Sequence, residues 1–401
     1  MYRTLATTCI LALSCGDGSA RETPAQTRPV QRVLAHDAAP SPLAKPSLAK
    51  PSLPRPPKLT GPQRLARDLD RYRALRKIQR KAVRKVKTGR PLGRTKAGRL
   101  AYETFVRMHA DTTMNITALR RVIYAELAAA ETAIKDRLAS LPEKTSRRDV
   151  RDTRPHAAIA RAAQSRAVSA TPFAFTKKPP PQRIKTIRSA TSPLAFYTER
   201  AVYLNLHRSN RPPAHLVEAI IFHETIPGHH LENRLGSAKV ARTGDKPGDQ
   251  EEFNAFIEGW GLYAEQLAAD LQLYSNDAAR LGRFELRAWR AARAAVDIGL
   301  HHEGWTMDRA RKFMTEHTVL SPSTIRVEIQ RVLTRPGRVQ AYVVGARTIL
   351  ELRAQAKKRL GPLFSLREFH SVLLGSGRIP LSTVTRLVTE WIAKIRRDQT
   401  A

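Results

Sequence analysis

Three histidines and one glutamate fall within eight residues of the run Ile220-Ile221-Phe222-His223-Glu224-Thr225-Ile226-Pro227-Gly228-His229-His230. A His-Glu pair on a helix, followed by a second His four residues after the first, puts two imidazoles on one face. That face can hold zinc, and the glutamate between them can act as general base toward water. Here the fourth position is Pro227, and the next histidines stand six and seven residues after His223. In a straight helix His230 would share the face of His223 but lie ~10 Å along the axis. Pro227 removes a backbone donor and bends the helix, and Gly228 permits a tight backbone. The break can bring His229 or His230 back beside His223, and the spacing leaves that choice open. A lone His-Glu pair would be two ordinary helix residues. The concentration of donors, the apolar approach Leu216-Val217 and Ile220-Ile221-Phe222, and the Pro-Gly interruption together favour a site.

A third ligand is available downstream in Phe253-Asn254-Ala255-Phe256-Ile257-Glu258-Gly259-Trp260-Gly261-Leu262-Tyr263-Ala264-Glu265. Phe253, Phe256, Ile257, Trp260, Ala264, Leu267 and Leu271 form one apolar stripe, while Asn254, Glu258 and Glu265 share another. A solvated face accounts for Glu265 as readily as a site does. Gly259 and Gly261 are poor helix residues beside Glu258, which points to close approach of another backbone or a ligand. Farther on, Arg287, Arg290, Arg293, Asp297, Gly299, His301 and His302 form a third cluster. Arg293 and Asp297 are four apart and expected to pair on one helix. His301 reads equally as a helix-end histidine or a site histidine. From Leu216 to Thr306 there are 9 Lys/Arg against 14 Asp/Glu, in a chain of net charge +35. A dication with carboxylate ligands would sit well in such a local reversal.

These motifs together resemble one bacterial family, domain of unknown function 885. They are His-Glu-x-x-Pro-Gly-His-His-Leu at 223–231, Glu-Gly-Trp-x-Leu-Tyr-Ala-Glu at 258–265 and Arg-x-x-Arg-x-x-x-Asp-x-Gly-Leu-His at 290–301. The likeness covers about 100–397 and continues through Arg335-Pro336-Gly337, Tyr342, Gly345, Leu352-Arg353, Phe369-His370 and Pro380-Leu381. Glu232, Val332, Arg338 and Val343 stand where members usually carry Gln, Tyr, Gln and Lys. The resemblance implies a mainly helical fold related to zinc metallopeptidases. It implies one Zn2+ held by His223, by His229 or His230, and by Glu258, with Glu224 as general base. Tyr342 or His301 would donate to the developing oxyanion. Asp297, Glu265 and Asn254 would support the ligands from behind.

The elements that must position these residues are helices. The pattern predicts helix over about 99–140, 215–227, 250–273, 277–300, 306–317, 321–332, 339–358, 365–375 and 381–397. Ser321-Pro322 and Ser382-Thr383 offer starts, and Gly361, Gly375 and Gly377 offer stops. Residues 142–195, basic and Pro-rich, read as loop with some short strand. The fold class is therefore mainly α, a multi-helix domain over 99–397 with a zincin-like metal-binding helix pair. Residues 63–98 form a basic helical segment. Residues 16–62 form a disordered Pro-rich tether, since proline at that density blocks helix and ladder alike. Residues 1–15 read as a signal leader with a lipoprotein cleavage site at Ser14-Cys15-Gly16.

With 401 residues and 42 % hydrophobic content, the chain can bury a real core. Its two cysteines, Cys9 and Cys15, both lie in the leader, so disulfides and thiolate-bound zinc are excluded from the body. Aromatic residues are only 6 %, so base stacking is poorly served and nucleic acid is not the expected partner. Basic residues within 71–87 could touch an anionic surface. The reading reached is an exported zinc metallohydrolase acting on peptides, anchored by lipid in the cell envelope or periplasm. The alternative is a non-catalytic binding lipoprotein on the same fold.

Overall fold

The basic run after the tether forms α1 (Gly61–Val83), which packs on α2 (Lys96–Ala110). The computed structural model describes residues 61–140, 154–177, 180–198, 201–208, 211–240 and 253–399. The leader and residues 16–60 of the tether therefore lie outside the described residues. All described residues belong to one unit, Leu59–Ala401. Arg76, in the middle of the basic run, is buried rather than solvated. Its guanidinium donates to the Tyr72 hydroxyl and to the Arg107 carbonyl at 2.9 Å, and it faces Asp111 at 3.5 Å.

Helix α3 (Ile116–Ala139) starts at Asn115, whose side chain accepts from the Ala118 N–H. It buries Ile116, Leu119, Ile123 and Leu127 at helical spacing. The region expected to be loop holds another helix, α4 (His156–Ala174). Its buried face is mostly Ala160, Ala163, Ala167, Ala170 and Ala174, so small residues replace the large apolar ones that a hydropathy pattern needs. The expected short strands follow: β1 (Ile184–Ile187), β2 (Ala195–Tyr197) and β3 (Val202–Asn205), in the order β1-β3-β2. β1 runs parallel to β3, with Ile184 opposite Val202, and β2 runs antiparallel to β3.

The remaining helices carry the site and its backing. They are α5 (Val217–Glu224), α6 (His229–Val240), α7 (Asn254–Asp270), α8 (Asp277–His301), α9 (Met307–His317), α10 (Pro322–Thr334), α11 (Gln340–Leu360), α12 (Leu366–Leu374) and α13 (Leu381–Asp398). Ser321 caps α10 by accepting from the Thr324 N–H, and Gly361 ends α11 with φ +52°. The last helix starts one residue before the expected Ser382-Thr383 cap, directly after Pro380, and no side chain caps it. The core pairs α7 with α11 and α3 with α8, and α5 lies against α4, α7 and α8. No described helix is long and apolar enough to cross a membrane.

Candidate metal centre

Helix α5 is apolar nearly throughout and is pinned by its first-turn acid. Glu218, fully buried, accepts from Ser275 N–H at 2.9 Å and Ser275 Oγ–H at 2.6 Å, and pairs with Arg166 at 2.6 Å. The helix delivers His223 to the interior and ends at Glu224. The Ile226–Pro227 peptide is cis, and α6 begins two residues later at His229. This corner folds His229 back on His223. The two rings stand 4.6 Å apart between centroids and nearly perpendicular, at 85°.

His223, His229 and Glu258 form a group that could hold a metal ion, with one donor atom from each lying within 4.8 Å of the others. Glu258 Oε2 is 3.8 Å from His223 Nε2 and 3.5 Å from His229 Nε2. Ligands ~2.0–2.2 Å from one tetrahedral ion stand ~3.3–3.6 Å from one another. The two separations from Glu258 are close to that edge length and long for direct hydrogen bonds.

The other side of His223 faces an acid and a base. Nδ1 lies 2.8 Å from Glu265 Oε1, to which it can only donate, and 3.3 Å from Arg290 Nη2, so a neutral ring that donates to Glu265 would turn its Nε2 lone pair toward Glu258. Arg290 grips the same carboxylate, at 3.1 Å from Nη1 to Oε2 and 2.7 Å from Nη2 to Oε1. Glu265 is thus a buried residue, not part of a solvated face. A Cβ on Gly261 would stand 2.4 Å from His223 Cε1, so the ring occupies the space that any larger residue there would need. The Nδ1 atom of His229 is buried and has no hydrogen-bond partner among the described residues.

Electrostatics agrees with the donor set. Burial works to raise the pKa of Glu258, but the facing imidazoles of His223 and His229 outweigh burial and hold it well below the usual carboxylate range. Burial and Arg290 push His223 down, yet Glu258 and Glu265 carry it up to about 9. Both directions mark a pocket that favours a positive charge between imidazoles and carboxylate.

The remaining expected residues divide. His230, adjacent to His229 but ~100° around the helix, turns away: its Nε2–H donates to the Pro180 carbonyl at 2.8 Å. The choice left open between His229 and His230 thus falls to His229 for the cluster. Tyr342 on α11 lies beside His223, ring centroids 6.2 Å apart and planes 19° from parallel. Burial raises the Tyr342 pKa, and the Glu258 charge adds to this, so its hydroxyl keeps its proton. Glu224 is half-buried, and its carboxylate makes no hydrogen bond among the described residues. Asn254 donates to the Arg338 carbonyl at 3.2 Å, bracing α7 against the start of α11.

Asp297 and His301 go elsewhere. Asp297 accepts from the Tyr102 hydroxyl at 2.8 Å, Gln340 Nε2 at 2.9 Å and Gly337 N–H at 3.1 Å. It does not touch the ligand imidazoles, and the expected Arg293–Asp297 pair does not form. Arg293 instead bonds Glu328 at 2.5 Å, because α10 presents a buried carboxylate closer to the guanidinium. His301 is fully buried, with Nδ1 3.3 Å from the Leu92 N–H and Nε2 3.2 Å from the Val332 carbonyl. Both its nitrogens are thereby used in joining α8 to neighbouring segments.

A sequence model of the family described as "Bacterial protein of unknown function (DUF885)" matches residues 35–388. The chain belongs to this family. Two solved structures resemble this DUF885 protein. One is "the putative lipoprotein from Colwellia psychrerythraea", with 26 % identity and TM-score 0.67 over 77 % of this chain and 57 % of that one. The other is "a putative lipoprotein of unknown function from Shewanella oneidensis", with 15 % identity and TM-score 0.59 over 78 % of this chain and 63 % of that one. The chain thus spans less than two thirds of either relative, and the second likeness concerns the fold alone. No match to a curated protein was found.

Sequence reasoning named Arg290 within the DUF885 motif but gave it no part in the site. Its three-residue spacing to Arg287 and Arg293 was the available signal. Arg378 was missed altogether. It grips the buried Glu232 carboxylate at 2.9 and 3.1 Å, and Glu232 is three residues from His229 on α6.

Proposed function

We propose that this DUF885 protein is an exported, lipid-anchored metallohydrolase that uses one zinc ion and cleaves peptides. The observation that carries the proposal is the convergence of one donor atom each from His223, His229 and Glu258 to within 4.8 Å, with His223 backed by Glu265. Two imidazoles and one carboxylate suit zinc and leave a coordination position open. What zinc supplies when bound by such a set is acidification of water, to a pKa of about 7. Glu224, next in the chain to His223 and free of hydrogen bonds among the described residues, accepts the proton of the attacking water and passes it to the leaving amine. Tyr342, protonated and beside His223, donates its hydroxyl hydrogen to the oxyanion that develops on the substrate carbonyl. Export and lipidation rest on the leader with Cys15 and on the likeness to the Colwellia psychrerythraea protein.

Glu224→Gln tests the reading. The variant keeps size and hydrogen bonding but cannot accept a proton. It should retain zinc and fold while losing on the order of 10²–10⁴-fold in peptide turnover. Turnover at the wild-type rate would defeat the mechanism. A second reading is a non-catalytic binding lipoprotein on the same fold. Stoichiometric zinc with no cleavage of any peptide library would favour it.

A further inference from the structure

Helix α1 has two differently built sides. Tyr72, Arg76 and Val83 form its buried stripe. To one side of it Arg71, Leu75, Ile78 and Ala82 follow at steps of four, three and four residues and share one exposed face. Leu75 is 50 % and Ile78 67 % exposed. Lys81 lies beside Ile78 on the next turn, and Arg84, Lys85 and Lys87 continue the charge just past the helix end, all exposed. No Asp or Glu occurs between Asp70 and Glu103.

A single exposed leucine is ordinary. Two large aliphatic side chains one turn apart, bordered by cations with no acid from Arg71 to the helix end, are the composition of an interfacial helix. Its apolar residues enter the boundary between headgroups and acyl chains, while lysine and arginine stems reach back to lipid phosphates. Duplex nucleic acid would satisfy the same cations but leave Leu75 and Ile78 in water. We propose that the outer face of α1 docks on an anionic phospholipid membrane, through Leu75 and Ile78 with Arg71 and Lys81. The proposal needs neither the hydrolase reading nor the lipid anchor.

The test uses the full chain carrying Cys15→Ala, so that no acyl group contributes. The protein is sedimented with phosphatidylglycerol–phosphatidylcholine vesicles and with phosphatidylcholine vesicles. Binding should be confined to the anionic vesicles and fall as salt rises. Leu75→Ser/Ile78→Ser, at exposed positions, should keep the melting curve and weaken binding by about tenfold or more. An Ile78→Trp variant should shift its emission to the blue on anionic vesicles only. Absent binding, wild-type binding by the double variant, or an unshifted tryptophan would each overturn the proposal. So would duplex DNA binding that matches vesicle binding, with both untouched by the double variant.

Discussion

The indole N–H of Trp260 donates to the Pro227 carbonyl across 2.9 Å, with the Gly228 carbonyl next at 3.3 Å. Trp260 is fully buried on α7, two residues after Glu258. One side chain therefore joins the helix that brings the carboxylate to the corner that turns His229 back on His223. The third donor and the turn that unites the other two are referenced to the same point.

Trp260→Phe should keep much of the packing but strand a buried carbonyl. The cost should be about 1–3 kcal/mol, seen as a lower melting temperature of the metal-free protein. Because the corner loosens, zinc affinity measured against a competing chromophoric chelator should fall as well. Loss of stability with unchanged affinity would mean that the corner holds its shape without the indole.

His229→Ala and His230→Ala should differ sharply despite adjacency. The first removes a donor facing Glu258 and should abolish stoichiometric zinc. The second removes a hydrogen bond to Pro180 and should keep the metal, with destabilisation on the order of 1 kcal/mol. Elemental analysis of the two purified variants decides, and the reverse pattern would sink the assignment.

Gly261→Ala places a methyl group where the His223 ring lies. The ring must rotate out or α7 must shift, and either breaks the geometry that Glu265 maintains. Zinc affinity should drop by at least the 10–100-fold typical of lost ligand orientation, with helical circular dichroism retained. Full affinity in this variant would show that the ring is not confined as described.

His370 offers a test by pH. Nδ1–H donates to the Ala174 carbonyl at 2.7 Å, and Nε2 accepts from the Tyr263 hydroxyl at 2.6 Å. Burial pushes its pKa down to about 3, from an ordinary 6.5. The unfolded chain therefore takes up a proton below about 6.5 that the folded chain refuses until about 3. Stability is unaffected above that range and falls with pH within it, by up to roughly a tenfold change in the folding equilibrium per pH unit. His370→Gln, which can keep both hydrogen bonds, should gain on the wild type as pH drops from 7 to 5 in urea titrations. An equal difference at both pH values would contradict this.

Much of the architecture was legible because long amphipathic helices announce themselves. The segment read as 277–300 is α8, Asp277–His301, and that read as 339–358 is α11, Gln340–Leu360. α4 was not legible, since an alanine face carries little contrast in hydropathy. Within the site, donor types and the Pro-Gly break could be read, but not which histidine returns. That depends on how far α6 rotates after the corner, a tertiary quantity set by packing against α7. Asp297 illustrates the same limit. Its spacing on α8 favoured Arg293, but Tyr102, Gly337 and Gln340 arrive from distant parts of the chain and claim it.

Where α7 crosses α11, a Cβ on Gly259 would stand 2.4 Å from the Gly345 carbonyl carbon, and one on Gly345 would stand 1.9 Å from the Ala255 carbonyl oxygen. The two backbones touch. Glu258 precedes one glycine and Tyr342 lies three residues before the other, so this contact works as a calliper whose jaws are the carboxylate and the phenol. Its setting is the thickness of two bare backbones, the smallest that helices allow. Substitution of either glycine can only open it, so the chain has no simple route to a narrower gap between the jaws and an abrupt one to a wider gap.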